Sequence, residues 1–208
     1  MRRLRRIPLS RRSHITGFQA LGVSGATQHE SALERDFVLL TAFRDAAAQI
    51  ISQPVTLTFQ EDSASRRYTP DYLVHWSDGR SELIEVKYRA DLHANWQRLR
   101  PAFEVARSWA HERQAGFRIA TERSIRCPML VNARRLLPLR GAPLDAGIAE
   151  EVRAAVRALS EPTFGDLVAT LPKDRGFVLG ALWRMIARSD LRADLTAPIG
   201  FHTRLALP

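Results

Sequence analysis

Two apolar segments joined by a short polar turn constrain the fold of this chain more than any other feature. The segments "RYTPDYLVHW" and "ELIEVKY" lie on either side of Ser77-Asp78-Gly79. Both are rich in β-branched and aromatic residues, and an Asp-Gly pair between such runs is a strong turn signal. We therefore expect a β-hairpin that places residues before the turn beside residues after it.

The flanking patterns predict a mixed sheet with helices on its faces. "ESALERDFVLLTAFRDAAAQIIS" spaces its apolar residues at helical intervals, which predicts a helix over about residues 31–51 that ends before Pro54. "VTLTF" alternates like a strand. After the hairpin we expect a second helix, bent near Pro101 and closed by Gly116, and then strands at "FRIAT" and "MLVNA". This order of elements is typical of an α/β fold.

Beyond "LPLRGAPLDAG" the pattern changes to short helices. Three are predicted, at "LDAGIAEEVRAAVRAL", "TFGDLVATL" and "RGFVLGALWRMIARSDL", and two short strands at "RADLT" and "HTRLALP". Three helices with a small β-wing suggest a winged-helix-like module. We therefore expect a basic arm and lead-in over residues 1–25, a main α/β domain over 26–140 and the winged-helix-like module over 141–208.

Charge and composition limit the functional classes. The net charge is +9, and the first twelve residues contain six arginines and no acid, namely Arg2, Arg3, Arg5, Arg6, Arg11 and Arg12. Such an arm can be a solvated tail, but arginine forks onto phosphate oxygens, so we favour a polyanionic partner and specifically DNA. No apolar run is long enough for a membrane span or a signal peptide, which predicts a cytoplasmic protein. Cys127 is the single cysteine, so we expect no disulfide, and any metal should bind oxygen ligands.

Three residues of the predicted hairpin form a candidate site. Glu85 and Lys87 point to the same side of their strand, because strand side chains alternate, and Asp71 lies on the neighbouring strand. Two such carboxylates can hold Mg²⁺, with Mn²⁺ as a substitute. Lys87 is one of only two lysines among 31 basic residues, which favours a chemical role. The alternative is a surface ion pair beside a common turn, since both motifs occur widely.

A third carboxylate is expected from the preceding helix. Glu34 is the candidate, but Ser31 and Glu34 also fit a capping box, in which the glutamate reaches back to the Ser31 amide. The residue pattern leaves the cap and the metal ligand equally open. Glu30 is a weaker candidate.

Other polar and aromatic residues are given smaller roles. We interpret His75 as a surface or packing residue. Tyr68, Tyr72 and Tyr88 are expected to shape the groove or the core rather than to stack on bases. Gln53, between the helix that bears Glu34 and a strand, is a candidate contact to the site.

At these residues the chain resembles the PD-(D/E)xK nuclease superfamily, through Pro70-Asp71 and Glu85-Val86-Lys87. It is more similar to the TnsA family of transposon-end endonucleases. The resemblance lies in "ESALERDF", Gln53-Pro54, "YTPDYLV", "LIEVKYRADL" and "FRIATERSIR", in this order. It implies a restriction-endonuclease-like fold, with Glu34, Asp71 and Glu85 as metal ligands and Lys87 as the catalytic lysine.

The resemblance also implies a function within a complex. A TnsA-like subunit hydrolyses the 5′ strand at transposon ends, beside a DDE-type transposase and an AAA+ ATPase regulator. Two alternatives remain at this point: a stand-alone restriction, repair or junction nuclease, and a non-catalytic DNA-binding scaffold of a transposition complex. The winged-helix-like module is open to either DNA or protein, since its third helix has only Arg184 and Arg188 as basic residues.

Overall fold

The computed structural model describes residues 17–21, 25–29 and 31–208, and the chain divides into two compact units. The first unit ends at Arg126 and the second begins at Cys127, whereas the sequence pattern placed the boundary after residue 140. None of the helices in the described stretches is both long enough and apolar enough to cross a membrane.

Eight strands and seven helices are described. The strands are β1 (Gly17–Leu21), β2 (Gly25–His29), β3 (Gln49–Ser52), β4 (Leu57–Glu61), β5 (Ala64–Tyr68), β6 (Tyr72–His75), β7 (Ser81–Val86) and β8 (Gly116–Ala120). The helices are α1 (Ala32–Arg44), α2 (Arg89–His111), α3 (Glu122–Ile125), α4 (Pro128–Leu136), α5 (Ala146–Ala158), α6 (Phe164–Thr170) and α7 (Arg175–Ala187), with a 3₁₀ turn at Leu137–Leu139.

A four-stranded mixed sheet organises the first unit, in the order β3-β6-β7-β8. The pairs β3/β6 and β6/β7 are antiparallel, whereas β7 and β8 are parallel. The long helix α2 makes the connection between these two parallel strands, as parallel pairing requires a crossover. The predicted hairpin and the predicted strand at "FRIAT" are thus confirmed at the centre and edge of one sheet.

Helices cover both faces of this sheet, which confirms the predicted α/β architecture and agrees with a restriction-endonuclease-like fold. On one face α1 contributes Leu33, Phe37 and Val38 to a buried cluster with Val74 and Ile84. On the opposite face the α2 residues Ala106 and Ala110 pack with Leu83 and Leu57. The alternation of Leu83 and Ile84 between the two clusters follows from the pleat of β7.

The first helix is shorter than predicted. It ends at Arg44, because Asp45 adopts an extended conformation (φ −144°, ψ 103°) while its backbone N–H still bonds to Thr41. The next segment, Gln49–Ser52, pairs with β6 instead of continuing the helix. Helical periodicity and strand alternation overlap over so short a run, and pairing with the sheet decides the outcome.

The segment "RYTPDYLVHW" is not one strand. Ala64–Tyr68 pairs with Leu57–Glu61 in a separate two-stranded sheet, and the central sheet resumes at Tyr72. The separate hairpin turns at Asp62 and Ser63, both with positive φ (48° and 64°), which suits a tight two-residue turn.

Two further predictions are wrong. "MLVNA" lies in α4 rather than in a strand, since Pro128 begins the helix and Leu130, Ala133 and Leu136 form its buried face. Gly116 begins β8 instead of closing α2. The helix ends at His111, and the following turn is made by Gln114 with φ 54°.

The second unit contains α4 and the three predicted helices α5, α6 and α7 around a core that includes Val152, Leu167, Leu182 and Met185. Two isolated bridges, Thr163 with Arg204 and Arg192 with Ala206, take the place of the two predicted strands. The buried Asn132 donates to the carbonyls of Leu195 and Ala197 and accepts from the Ile199 amide. The winged-helix-like character of the second unit stays a prediction.

Candidate active site

The ends of β6 and β7 bring Asp71 and Glu85 together. Tyr72 pairs with Ile84 across the hairpin, so Asp71 and Glu85 lie one step beyond this pair. The Asp71 carboxylate accepts a 2.6 Å hydrogen bond from the Val86 amide, while its carbonyl accepts from the Gln53 amide at 2.7 Å. Both contacts fix Asp71 at the start of β6. Asp71 and Glu85 therefore lie close together, as the hairpin predicts.

Glu85 is deeply buried, with 3% of its surface exposed. One carboxylate oxygen pairs with the Lys87 ammonium, and the other accepts a 2.6 Å hydrogen bond from the Tyr68 hydroxyl. Ile84 and Val86 point to the opposite face and pack in the α1 cluster. The alternation expected along this strand is thus observed.

The electrostatics of the site follow from its burial and its acids. Burial raises the pKa of Asp71, and the charges of Glu85 and Glu34 raise it further, to well above its usual range. The hydrogen bond from Val86 and the charge of Lys87 oppose this shift but do not cancel it. Asp71 therefore takes up a proton more readily than an ordinary aspartate does.

The two groups bonded to Glu85 keep their protons. Burial is the largest single influence and lowers the pKa of Lys87. The charge and hydrogen bond of Glu85, together with the charges of Asp71 and Glu34, outweigh it, so the net shift is upward. Burial together with the Glu85 charge raises the pKa of Tyr68 well above its usual range. Lys87 is accordingly a cation, and Tyr68 is a hydrogen-bond donor.

The backbone of Glu34 takes part in the helix cap, whereas its side chain lies near Asp71. Its amide donates to the Ser31 hydroxyl at 3.1 Å, so this part of the helix cap is present. Its carboxylate lies 3.5 Å from the Tyr72 hydroxyl, and its charge is among those that raise the pKa of Asp71. The side chain therefore faces the site, and its role as a metal ligand stays a prediction. Glu30 lies outside the described residues, as do the six arginines of the basic arm.

The contacts of the other candidate residues show where each lies relative to the site. His75 pairs with Ser81 at the turn end of the hairpin, with Nδ1 2.8 Å from the serine hydroxyl, so it lies at the other end of the strands from Asp71. Gln53 reaches the site through its backbone amide. The sequence pattern predicts only a groove or core position for Tyr68 and does not predict its hydrogen bond to Glu85. The one signal in the sequence was its position three residues before Asp71.

The donor set suits a hard divalent cation. Asp71 and Glu85 offer carboxylate oxygens, which Mg²⁺ and Mn²⁺ prefer, and Glu34 lies within electrostatic range of Asp71. Within the described part of the chain, no three acidic, histidine or cysteine side chains stand together as a ready metal site. Both oxygens of Glu85 are engaged by Lys87 and Tyr68, so a cation at Glu85 would compete with these two groups.

The part of the chain that contains this hairpin is similar to a known protein family. Residues 45–122 match the family model described as TnsA-like endonuclease N terminal. This match supports an assignment of the chain to the TnsA family. The matched segment contains Asp71, Glu85 and Lys87, whereas Glu34 precedes it. No curated protein matches the chain. The match suggests that the domain around the hairpin is a nuclease of the TnsA type.

Proposed function

We propose that this TnsA-like chain is a Mg²⁺-dependent DNA endonuclease that hydrolyses the 5′, non-transferred strand at transposon ends. The observation that carries the proposal is the buried Glu85 carboxylate, held by Lys87 and Tyr68 next to an Asp71 of raised pKa. A cross-strand surface ion pair would not require such burial, because exposed pairs are solvated on all sides.

Each side chain of the site has a distinct role in the proposed reaction. A divalent cation bound by Asp71 and Glu85, with Glu34 as the third ligand, would polarise the scissile phosphate and activate water. Lys87 keeps its proton beside Glu85, so its ammonium can neutralise negative charge that develops on the phosphate in the transition state. Tyr68 holds the second Glu85 oxygen and thereby sets the orientation of the carboxylate.

The proposed partners follow from the family. We propose that the chain acts beside a DDE-type transposase, which cleaves and joins the 3′ ends, and contacts an AAA+ ATPase regulator. Six arginines in the first twelve residues support binding to DNA. For the second unit, both DNA and a partner protein remain candidate ligands.

Calorimetric titration of Mn²⁺ or Mg²⁺ with DNA present, run beside supercoiled-plasmid nicking on the same samples, tests the proposal. Wild-type protein should bind the cation, and Asp71→Ala should lose both binding and nicking. The control is Asp78→Ala, because Asp78 is exposed in the turn at the opposite end of the hairpin. Binding without nicking by the isolated protein would show that a partner subunit is required.

Two results would contradict the proposal. If the wild-type protein bound no cation even with DNA, the non-catalytic scaffold would be the better description. Efficient cleavage of plasmids that lack transposon ends, without any partner, would instead favour a stand-alone nuclease.

A further inference from the structure

Arg126 connects the two segments that carry Glu34 and Lys87. Its Nε lies 3.4 Å from Oδ2 of Asp36, and its Nη2 donates a 2.9 Å hydrogen bond to the Tyr88 hydroxyl. Asp36 is on α1, two residues after Glu34, and Tyr88 directly follows Lys87. One side chain thus spans the distance between two elements of the candidate site.

Burial and geometry support this connection, although Arg35 also lies near Asp36, with its Nη2 3.7 Å from Oδ1. Asp36 is only 1% exposed, and a carboxylate so deeply buried requires a cation or hydrogen-bond donors close to it. The guanidinium carbon of Arg126 also lies 5.4 Å from the centre of the Tyr88 ring, within the range of a cation–π contact. A planar guanidinium can serve a carboxylate and an aromatic hydroxyl at the same time, which the single ammonium of a lysine does less well.

The main chain of the same segment is held separately. The Lys87 amide bonds to the Ala120 carbonyl at 3.0 Å, and the Arg89 amide bonds to the Glu122 carboxylate at 2.9 Å. These contacts attach the start of α2 to β8 and α3. Apolar packing of Val86 and Tyr88 in the α1 cluster also joins this segment to the helix that bears Glu34. The Arg126 side chain adds a polar link, from Tyr88 to Asp36.

We propose that Arg126 is a positioning residue that sets the placement of Lys87 relative to Glu34 by joining Tyr88 to Asp36. This inference rests on the proposed nuclease function, in which both groups act on one phosphate. Arg126 acts through its two neighbours, and the proposal gives it no contact with the metal or the DNA.

Arg126→Gln tests the role, with Arg123→Gln as the matched control. Arg123 is exposed on α3, three residues before Arg126, and its side chain makes no ion pair or hydrogen bond to another residue in the described stretches. Arg126→Gln should lower the maximal nicking rate at least tenfold and raise the Mn²⁺ concentration that gives half the maximal rate. Arg123→Gln should stay within about twofold of wild type in both quantities, as expected for a surface substitution. Arg126→Lys should recover only part of the loss.

A second measurement reports on Lys87 without any activity. The chain has only two lysines, so the spectrum of protein labelled with ¹³C-lysine contains two side-chain environments, and Lys173→Arg assigns the Lys87 signals. Arg126→Gln should shift or broaden the Lys87 Cε signal and leave that of Lys173 unchanged. Arg123→Gln should change neither signal.

Tyr88→Phe keeps the ion pair to Asp36 and removes the hydrogen bond, so it should move the Lys87 signal in the same direction by a smaller amount. This variant decides the case if Arg126→Gln does not fold. A Lys87 signal unchanged by loss of either contact would overturn the proposal, even if nicking fell. Should wild-type protein bind no cation even with DNA present, the proposed function would fail, and the lysine signals would still decide the positioning role.

Discussion

Tyr68 donates a 2.6 Å hydrogen bond to Glu85, although the two residues belong to different sheets. Tyr68 ends the separate β4/β5 hairpin, whereas Glu85 lies on a central strand of the four-stranded sheet. The Tyr68 ring also packs edge-on against Phe103 of α2, with ring centres 5.9 Å apart. The candidate site is therefore assembled by the packing of a second hairpin onto the α2 face.

Replacing Tyr68 with phenylalanine should weaken the site without removing the packing. The ring contact to Phe103 remains, but one oxygen of the buried Glu85 loses its donor, which costs about 1.5–3 kcal/mol for a bond to a charged group. We expect the free energy of unfolding to fall by about this amount and nicking to fall roughly tenfold. Urea unfolding and plasmid nicking measure the two effects.

Tyr72→Phe is the matched control for that prediction. The Tyr72 hydroxyl lies 3.5 Å from the Glu34 carboxylate, beyond the range of a strong hydrogen bond. Its removal should therefore cost less in both assays. Equal losses for the two variants would contradict a specific role for the Tyr68 hydroxyl.

Lys87 should not tolerate arginine. The guanidinium is larger and planar, so it cannot place a compact charge between Glu85 and the phosphate. We expect Lys87→Arg to reduce nicking roughly a hundredfold or more, while retaining DNA binding by gel shift. Lys173→Arg preserves an exposed ion pair to Glu151 in the second unit and should leave nicking unchanged. Full activity of Lys87→Arg would show that any cation suffices at this position.

Asp71 should make stability depend on pH in the absence of metal. Its pKa is raised in the folded protein from an ordinary value of 3.8, so the folded state holds a proton that the unfolded state releases. The corresponding stabilisation is complete below the ordinary pKa and is lost as the pH rises through the raised pKa. Asp71→Asn should therefore have the higher free energy of unfolding at about pH 8, with an advantage that disappears at about pH 3.5.

Urea unfolding in the presence of a chelator measures this pH dependence, with Asp78→Asn as control. Hydrogen bonds from Arg80 lower the pKa of Asp78, so this substitution should bring no gain at high pH. An Asp71→Asn variant that is less stable than wild type at every pH would mean that the aspartate is held as a charged group.

Deleting residues 1–12 should reduce the salt dependence of DNA binding. Each arginine that neutralises a phosphate steepens the slope of log affinity against log salt by about 0.9, so loss of the arm should flatten this slope by up to about 5. Fluorescence anisotropy at several salt concentrations measures it. A slope equal to that of the full chain would indicate that the arm does not contact the DNA.

Several features of this protein follow from local sequence alone. The Asp-Gly turn and the β-branched segments around it determine the central hairpin, and strand alternation places Glu85 and Lys87 on one side with Ile84 and Val86 on the other. Amphipathic spacing likewise determined the three helices after residue 145. Each of these features depends on residues a few positions apart, which is the range over which a pattern is informative.

The tertiary structure decided what short segments do and which side chains meet. Gln49–Ser52 is a strand because β6 offers it a pairing edge, and residues 129–133 are helical because α4 buries one face in the second unit. The contacts of Tyr68 with Glu85 and of Arg126 with Asp36 join residues 17 and 90 positions apart. Such contacts form only when whole elements pack together, because the burial that stabilises them is shared among many residues. A local sequence pattern therefore does not predict which of these side chains meet.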